Sequence, residues 1–435
     1  MAIEQSLSAD VRPMSADVRL PKKVVVAGFI STFIEWYDFL VYGTVAALVF
    51  NQLFFPKLDS FAGTLATLST FAVGFVARPV GGIIFGHFGD RIGRKKMLIA
   101  TLLIMAVATT GIGLLPSYEQ AGIWAPVLLV ICRLMQGISV GGEWGGVALL
   151  LMEQSSVEKR GFNGSWAQIG GYLGPLAGTS VIAIVSAFTT AEEFLAWGWR
   201  VPFLLSILLF AVGMYVRVTM GETPVFARAK KTKVPLVSVL NENTSTVLGI
   251  IGVHGAEAAL LFVALVYVPG YLKNMAHFTT SAATTSVVAM LVAATIATMF
   301  GGWLSDRVGR VPVTVAGLIV GILVAFPLFW TADTGSTALV CLAMAGAGVS
   351  IGLIYGPEPA FFGELFPTKH RYTGISLGAQ LGAVIGGATA PILATLAMGW
   401  TGGTWGVSWL VIVWQVVGLI GLMFLGETRG RSLDT

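Results

Sequence analysis

The chain has 435 residues, of which 55% are hydrophobic and only 11% are charged. An average soluble domain has roughly 25% charged residues, so this composition excludes an ordinary soluble protein and predicts one that lies in the lipid bilayer. The net charge of +4 does not indicate nucleic acid binding, because the basic residues flank apolar segments and act there as an orientation signal. Cys132 and Cys341 both lie deep in apolar runs. Their positions therefore indicate neither a disulfide framework nor a metal site.

Residues 1–21 are polar and predict a disordered tail. The apolar run after them lacks a small-residue cleavage site, so we expect a retained anchor rather than a signal peptide. Twelve runs of about 20 or more mostly apolar residues are long enough to cross a hydrocarbon core of about 30 Å, and they must do so as helices. The predicted spans cover about residues 24–50, 61–85, 97–115, 123–151, 163–188, 199–219, 246–272, 279–304, 311–332, 337–363, 373–398 and 405–425.

Lys and Arg are concentrated before the first span and in the connections that follow even-numbered spans, whereas the opposite connections hold only Lys57, Arg200 and Lys273. The positive-inside rule then predicts that both termini are cytoplasmic. Six spans per half give both halves the same orientation, which predicts a parallel repeat. We therefore expect six-helix bundles at residues 22–219 and 244–426, a cytoplasmic connector at residues 220–243 and a cytoplasmic tail at residues 427–435.

A glycine-rich basic turn occurs twice in the chain. The sequence GHFGDRIGRKK at residues 86–96 returns as GWLSDRVGR at residues 302–310, so that Asp90 and Arg94 recur as Asp306 and Arg310, 216 positions later. A second set of residues recurs at a spacing of 211 positions, in which Glu153 and Arg160 correspond to Glu364 and Arg371. Such self-similarity indicates one membrane unit repeated in the chain.

Two six-span halves with this repeated turn resemble the major facilitator superfamily. Five segments resemble its metabolite:proton symporters, which include shikimate, α-ketoglutarate, citrate and proline/betaine carriers, and the first half is most similar to the shikimate carriers. These segments are EWYDFLVYG at 35–43, GFVARP at 74–79, GGEWGG at 141–146, WGWRVPF at 197–203, and ELFP at 364–367 with RYTG at 371–374. The resemblance implies an all-α carrier of the bacterial inner membrane that imports a small organic acid with protons, uses the proton gradient in place of a cofactor, and works as a monomer.

The first span carries two carboxylates. A charge inside a spanning helix costs roughly 2.5 to 3.5 kcal/mol on insertion scales, so each such residue requires a partner or a function. Glu35 and Asp38 lie three residues apart and share one helix face with Tyr42. Because mutual repulsion and burial both favour binding of a proton, we predict that Glu35, Asp38 or both carry the transported proton.

Arginines in the second and fourth spans are the candidate partners of these carboxylates and of the substrate. Arg133 and Gln136 share a face at about the depth of Asp38, with which Arg133 could pair, and they resemble the superfamily motif associated with proton transfer. Arg78 and Glu143 also fall at similar depth, and a structural ion pair and a role in binding substrate or protons both remain open.

In the second half, His254 and Glu257 share one face of the seventh span, and Tyr355 and Glu358 share one face of the tenth. His254 could relay protons or bind substrate, or it could simply be satisfied by a neighbour. The remaining candidates for lining a cavity are Trp144, Trp166, Gln168, Tyr172 and Gln380, and for the aromatic residues of the fifth span the alternative is core packing.

The repeated turn is predicted to form a gate. We expect Asp90 to accept hydrogen bonds from a helix N-terminus across the interface between the halves, and Arg94 or Arg160 to contact Glu153, so that a cytoplasmic charge cluster holds only while the cavity faces outward. Asp306, Arg310, Glu364 and Arg371 should repeat this arrangement. A role as a topology signal alone would explain the basic residues but not the recurring Asp and Gly.

Other patterns suggest rival functions. The sequences GISVG at 137–141 and GVSIG at 348–352 match a hydrolase motif but lie inside apolar spans, so we expect helix packing and no enzyme activity. No phosphate loop or metal cluster indicates ATP hydrolysis. Gly170, Gly174 and Gly178 resemble a fifth-span motif of drug:proton antiporters, which makes export the alternative mode of coupling, and a zwitterion such as proline or betaine is the alternative substrate.

Overall fold

A computed structural model describes residues 22–58, 60–219, 235–368 and 371–433. The predicted tail at residues 1–21 and residues 220–234 of the predicted connector lie outside this range. Within the described ranges the chain is helical and contains no strand. Twelve helices of this part are long and apolar enough to cross a membrane, which confirms the predicted all-α membrane fold.

We number these helices α1 to α12 in chain order. They span Lys22–Val45, Ser60–Ile92, Arg94–Leu114, Trp124–Glu153, Arg160–Ala187, Val201–Thr219, Thr244–Phe262, Thr280–Val308, Arg310–Val324, Thr337–Tyr355, Arg371–Gly382 and Trp405–Met423. Five of them continue beyond these bounds: α1 through Ala46–Phe50 and Asn51–Phe54, α7 through Val263–Tyr267 and Val268–Asn274, α9 through Pro327–Asp333, α10 through Glu358–Glu364, and α11 through Ala383–Ala388 and Ala390–Thr401. Short helical segments at Tyr118–Ala121, Val157–Lys159, Ala191–Ala196, Gly198–Arg200 and Pro235–Glu242 complete the described chain.

The outer surface of the bundle is apolar. Phe188, Trp400 and Met423 are 83% to 86% exposed. Many aliphatic side chains are exposed to a smaller extent. A surface of this kind suits lipid rather than water. The two six-helix halves therefore bury polar groups toward the interior, where the candidate site lies.

Glycines bring repeat-related helices into close contact. A side chain at Gly141 of α4 would overlap the backbone oxygen of Arg78 on α2, and a Cβ at Gly352 of α10 would lie 2.6 Å from the backbone oxygen of Ala294 on α8. The two sequences that match the hydrolase motif thus form the α2–α4 and α8–α10 contacts, as small residues do in membrane helices.

The glycines of α5 have the same packing role. A Cβ at Gly170 would lie 2.5 Å from the backbone oxygen of Phe29, and one at Gly174 would lie 2.5 Å from that of Phe33. Both contacts are to α1, so Gly170 and Gly174 let α5 pack closely against the helix that carries Glu35 and Asp38.

Candidate functional site

A small cavity lies between the two halves. Its walls come from α1, α2, α4, α7, α10 and α11, and the volume is about 40 Å³. The lining residues are Glu35, Trp36, Arg78, Trp144, His254, Glu257, Ala258, Leu261, Phe262, Tyr355, Ala379, Gln380 and Ala383. Because one water occupies about 30 Å³ in the liquid, the halves are closed around this site. Seven of the residues predicted from sequence meet here.

Arg78 presents its charge to this cavity. Its guanidinium carbon lies 4.3 Å from the centre of the Phe75 ring and 5.4 Å from that of Phe39, which stabilises the cation. Among the described residues no acceptor lies within hydrogen-bond distance of its N–H groups. The carboxylate of Glu35 lines the same cavity and is 6% exposed. The cavity therefore contains one arginine charge that is not used in a direct ion pair.

Asp38 lies outside the cavity in a polar network of the first half. Gln136 donates from Nε2 to Asp38 Oδ2 at 2.6 Å and to Thr109 Oγ1 at 2.9 Å, and its Oε1 accepts from Arg133 at 2.8 Å. The Arg133 guanidinium stacks 3.8 Å from the centre of the Tyr42 ring. The direct contact expected between Arg133 and Asp38 is therefore replaced by one through Gln136, and Asp38 Oδ1 has no hydrogen-bond partner among the described residues.

Of the two alternatives left open for Arg78 and Glu143, an ion pair between them is not found in the structure. Glu143 instead pairs with Arg217 of α6, which also donates to Ser31 Oγ at 2.6 Å. Sequence reasoning missed Arg217 because an Arg in the last turn of an apolar span is typical of a flanking charge. The signal in the sequence was Glu143 itself, because a carboxylate in the middle of an apolar span requires a cation and none was assigned to it.

The second-half side chains are arranged across helices rather than along them. His254 Nδ1 lies 2.8 Å from Glu358 Oε2, so the histidine is satisfied by α10 and not by Glu257 of its own helix. Glu257 Oε1 has no hydrogen-bond donor among the described residues, although the side chain is only 2% exposed. Trp144 Nε1 donates to the hydroxyl of Tyr355 at 3.1 Å, which joins repeat-related positions of the two halves.

The fifth-span candidates do not line this cavity. The hydroxyl of Tyr172 accepts from Thr298 Oγ1 at 3.3 Å, and Gln168 is buried with no partner for its Nε2 in the described ranges. Trp166 is 37% exposed, packs on Phe162 and does not line the cavity. Interface packing accounts for Tyr172, whose ring packs on that of Tyr355.

Aromatic rings close the cavity on one side. Phe262 of α7 packs against Trp36, Phe39 and Phe75, with ring centres 6.3, 5.9 and 5.6 Å away. These contacts join the two halves one turn from Glu257, Glu35 and Arg78. Trp36 and Phe262 were not predicted as site residues, because apolar aromatic residues in spans cannot be distinguished from core by sequence pattern.

Carboxylates and helix N-termini close the opposite side, at the end of the bundle that carries Arg160, Arg310 and Arg371, which we call the basic face. Asp90 accepts from the backbone N–H groups of Tyr372 at 3.2 Å and Thr373 at 3.0 Å, and from the Thr373 hydroxyl at 2.9 Å. Asp306 accepts from the N–H groups of Gly161 and Phe162, both at 2.8 Å. The predicted contact of Asp90 with a helix N-terminus of the other half is confirmed, and the repeat reproduces it.

Salt bridges at the basic face also cross between the halves. Arg160 lies 3.4 Å from Glu364, and Arg371 lies 3.3 Å from Glu153. Of the two partners expected for Glu153, Arg160 pairs with Glu364 instead, because the repeat places the start of α5 beside the end of the extended α10. Arg310 contacts Glu364 at 3.3 Å and Asp306 at 2.6 Å. The side chain of Arg94, also predicted here, lies outside the described part of the structure.

The C-terminal segment is attached to these residues. Glu427 accepts from the N–H groups of Arg310 at 2.9 Å and Val311 at 3.0 Å, while Thr428 donates to Glu364 at 2.8 Å. Arg160 donates to the backbone oxygen of Arg431 at 2.8 Å. Burial raises the pKa of Glu427, but four backbone N–H groups together outweigh burial and hold the pKa below its ordinary value of 4.5. The segment therefore holds both halves at the basic face, which sequence reasoning did not predict.

Comparison with known proteins places this arrangement in a family. The Major Facilitator Superfamily model matches residues 28–391. The shikimate transporter of Escherichia coli (strain K12) is 37% identical over 402 residues, which cover 88% of this chain and 89% of that protein. The proline/betaine transporter of Salmonella typhimurium is 33% identical over 425 residues, which cover 95% of this chain and 85% of that protein.

A solved structure has the same fold. The proton:xylose symporter XylE bound to 6-bromo-6-deoxy-D-glucose matches with a TM-score of 0.78 at 17% identity, over 95% of this chain and 97% of that chain. The chain therefore belongs to the major facilitator superfamily, and it is a multi-pass membrane transporter built from two six-helix halves.

Proposed function

We propose that the protein is a proton-coupled symporter that imports a small organic acid by alternating access. The observation that carries this proposal is the Arg78 guanidinium, which shares a closed central cavity with Glu35 and has no acceptor among the described residues. An arginine in this position is suited to the carboxylate of a substrate. The names of the relatives, a shikimate transporter among them, favour the same class of substrate.

Proton coupling is assigned to the carboxylates of α1. When Glu35 is ionised, its charge offsets that of Arg78, and when Glu35 is protonated, the charge of Arg78 is available to the substrate carboxylate. Asp38, with one unpartnered oxygen, is the second proton site, joined to Arg133 through Gln136. His254 contributes as the partner of Glu358 at the opposite wall. Binding of the acid and binding of the proton thereby favour each other.

Alternating access then requires two closures that open in turn. The aromatic contacts of Phe262 close the cavity on one side, and the contacts of Asp90, Asp306 and the crossed salt bridges close the basic face. We assign the basic face to the cytoplasm of a bacterial inner-membrane protein with both termini inside, since basic connections are cytoplasmic. While the basic face is closed, the cavity can open only to the outside, where substrate and proton bind. We take one chain to carry out the whole cycle.

Two alternatives are kept as outcomes of the test. A zwitterion fits a cavity that has acidic, basic and aromatic residues, and a proline/betaine transporter is among the relatives. Export as an antiporter was favoured by the glycines of α5, but their packing against α1 accounts for those glycines without it.

Uptake into cells tests the proposal. Cells that express the protein should accumulate labelled shikimate or another organic acid above the external concentration, and an uncoupler should abolish accumulation. Asp38→Asn should remove accumulation but retain exchange of labelled for unlabelled solute, whereas Asp333→Asn, at an exposed position, should behave as the parent. Accumulation that survives the uncoupler would reject symport, and unchanged accumulation in Asp38→Asn would remove Asp38 from the coupling mechanism.

A further inference from the structure

The two sides of the central cavity carry different polar groups. The first-half side contributes the Arg78 guanidinium, which is a donor only, and the carboxylate of Glu35, whose charge offsets that of Arg78 when Glu35 is ionised. The second-half side contributes Glu257 Oε1 and Gln380 Oε1, and neither has a donor among the described residues. These two side chains are 2% and 4% exposed, so they are acceptors that are almost entirely removed from solvent.

Two other polar groups of the second-half wall each have a hydrogen-bond partner. His254 is paired with Glu358, and the hydroxyl of Tyr355 accepts from Trp144. The amide nitrogen of Gln380 donates to the backbone oxygen of Val140 at 3.4 Å, which points its oxygen away from that contact. Glu257 and Gln380 are therefore the two residues of this wall with a buried oxygen that has no donor among the described residues. A buried acceptor that has no donor costs free energy. A solute that offers hydrogen-bond donors to Glu257 and Gln380 should therefore bind more tightly than one that does not.

We infer that the substrate is a monocarboxylate that bears hydrogen-bond donors, hydroxyl or N–H, in addition to its carboxylate. This inference rests on the proposed function, since it uses the same cavity. Arg78 holds the carboxylate, and Glu257 and Gln380 accept from the donors. Glu257 and Gln380 are thus specificity-determining residues for the solute.

The same geometry disfavours two classes of solute. A second carboxylate, as in α-ketoglutarate or citrate, is itself an acceptor when ionised and would leave the oxygens of Glu257 and Gln380 without a donor. A quaternary ammonium, as in betaine, has no N–H or O–H to donate and would leave both acceptors unmet. A hydroxylated acid such as shikimate and a secondary ammonium acid such as proline both supply donors, and the experiment distinguishes them.

Calorimetric binding to the purified full-length protein tests the inference with two matched pairs of ligands. One pair is shikimate and 1-cyclohexene-1-carboxylate, which lacks the hydroxyl groups. The other is proline and N,N-dimethylproline, which lacks the N–H donors. We expect the donor-bearing member of one pair to bind at least about 10-fold more tightly than its partner, because a site built to bond a donor rejects the analogue without it. The pair that shows this difference identifies the donor as hydroxyl or N–H.

Variants assign the effect to the named residues. Glu257→Leu and Gln380→Leu should each reduce the preference within that pair by about 10-fold, since each removes one acceptor. Gln415→Leu is the matched control, because Gln415 is also buried with an unpartnered oxygen but does not line the cavity. Should a variant fail to fold, the preference measured with the unmodified protein still decides the question.

Equal binding within both pairs, binding of neither pair, or tighter binding of citrate or α-ketoglutarate would overturn the inference. Uptake into proteoliposomes separates this failure from failure of the proposed function. Selective binding without proton-driven accumulation would leave the inference standing and reject symport. Proton-driven accumulation of an acid that lacks donors would retain symport and reject the inference.

Discussion

Replacement of Asp90 by Asn should open the basic face. Asp90 accepts three hydrogen bonds from the start of α11, two of them from backbone N–H groups of Tyr372 and Thr373. Asn has the same size but no charge, and its amide nitrogen would face a donor. Hydrogen bonds to a charged group contribute about 1.5 to 3 kcal/mol each, and a carboxylate at a helix N-terminus about 0.3 to 2 kcal/mol.

The contact joins the two halves, so its loss weakens the state in which the basic face is closed. Because Asn retains one acceptor, we take a loss of about 2 to 4 kcal/mol from these ranges. At 1.4 kcal/mol for each factor of ten, the fraction of molecules with an open basic face should rise by about 30- to 700-fold. This increase has an upper limit, because the fraction of molecules with an open basic face cannot exceed one.

Cysteine labelling measures this fraction. Met152 is fully buried against Gly363 of the other half, so Met152→Cys should react with a membrane-impermeant maleimide only when the basic face opens. Cys132 and Cys341 are replaced by Ser in this background. In inside-out vesicles, labelling should be faster by the factor above when Asp90→Asn is added, and unchanged when Asp333→Asn is added. Labelling within about twofold of the parent would refute the gating role of Asp90.

Three further changes test other parts of the molecule. Gly174→Ala should destabilise the protein by about 1 to 3 kcal/mol through overlap with Phe33, whereas Gly270→Ala, with no atom within 4 Å, should not; thermal unfolding in detergent measures both, and equal midpoints would contradict the α1–α5 contact. Arg78→Lys should raise the KM for uptake by about 10-fold, since Lys keeps the charge but loses the planar fork, and an unchanged KM would remove Arg78 from the site. The lowered pKa of Glu427 means that its carboxylate stabilises the folded state above about pH 4.5 and that this contribution is lost as the pH falls through the lowered pKa. The thermal midpoint of Glu427→Gln should therefore lie below that of the parent near neutral pH and approach it in acid, and a constant difference would contradict this role.

Features that recur along the chain could be predicted from sequence. The spans could be predicted from the length of the apolar runs, and the repeat could be predicted from the paired turns. The span predicted at residues 123–151, for example, is helix α4 at Trp124–Glu153. Asp90 was placed correctly against a helix N-terminus because a carboxylate at a fixed offset from a glycine turn has few other uses in a membrane protein. The sequences at 137–141 and 348–352 were correctly assigned to helix packing, because both lie inside apolar spans.

Partners of buried charges could not be predicted. Sequence spacing shows which residues share a helix face, and it suggested pairs within a helix or a half, such as His254 with Glu257 and Arg160 with Glu153. The actual partners, Glu358 and Glu364, lie on other helices and are set by how the halves meet. Arg217 and Glu427 were missed because charges near the end of a span are ordinary in a membrane protein, and only the tertiary contacts reveal that they are used.

The most direct test of the central claim is solute accumulation in proteoliposomes that contain only this protein. With the outside more acidic than the inside, labelled organic acid should accumulate above its external concentration, and dissipation of the proton gradient should return it to equality. Accumulation of the same extent without a proton gradient, or failure of any organic acid or zwitterion to accumulate with one, would contradict proton-coupled symport.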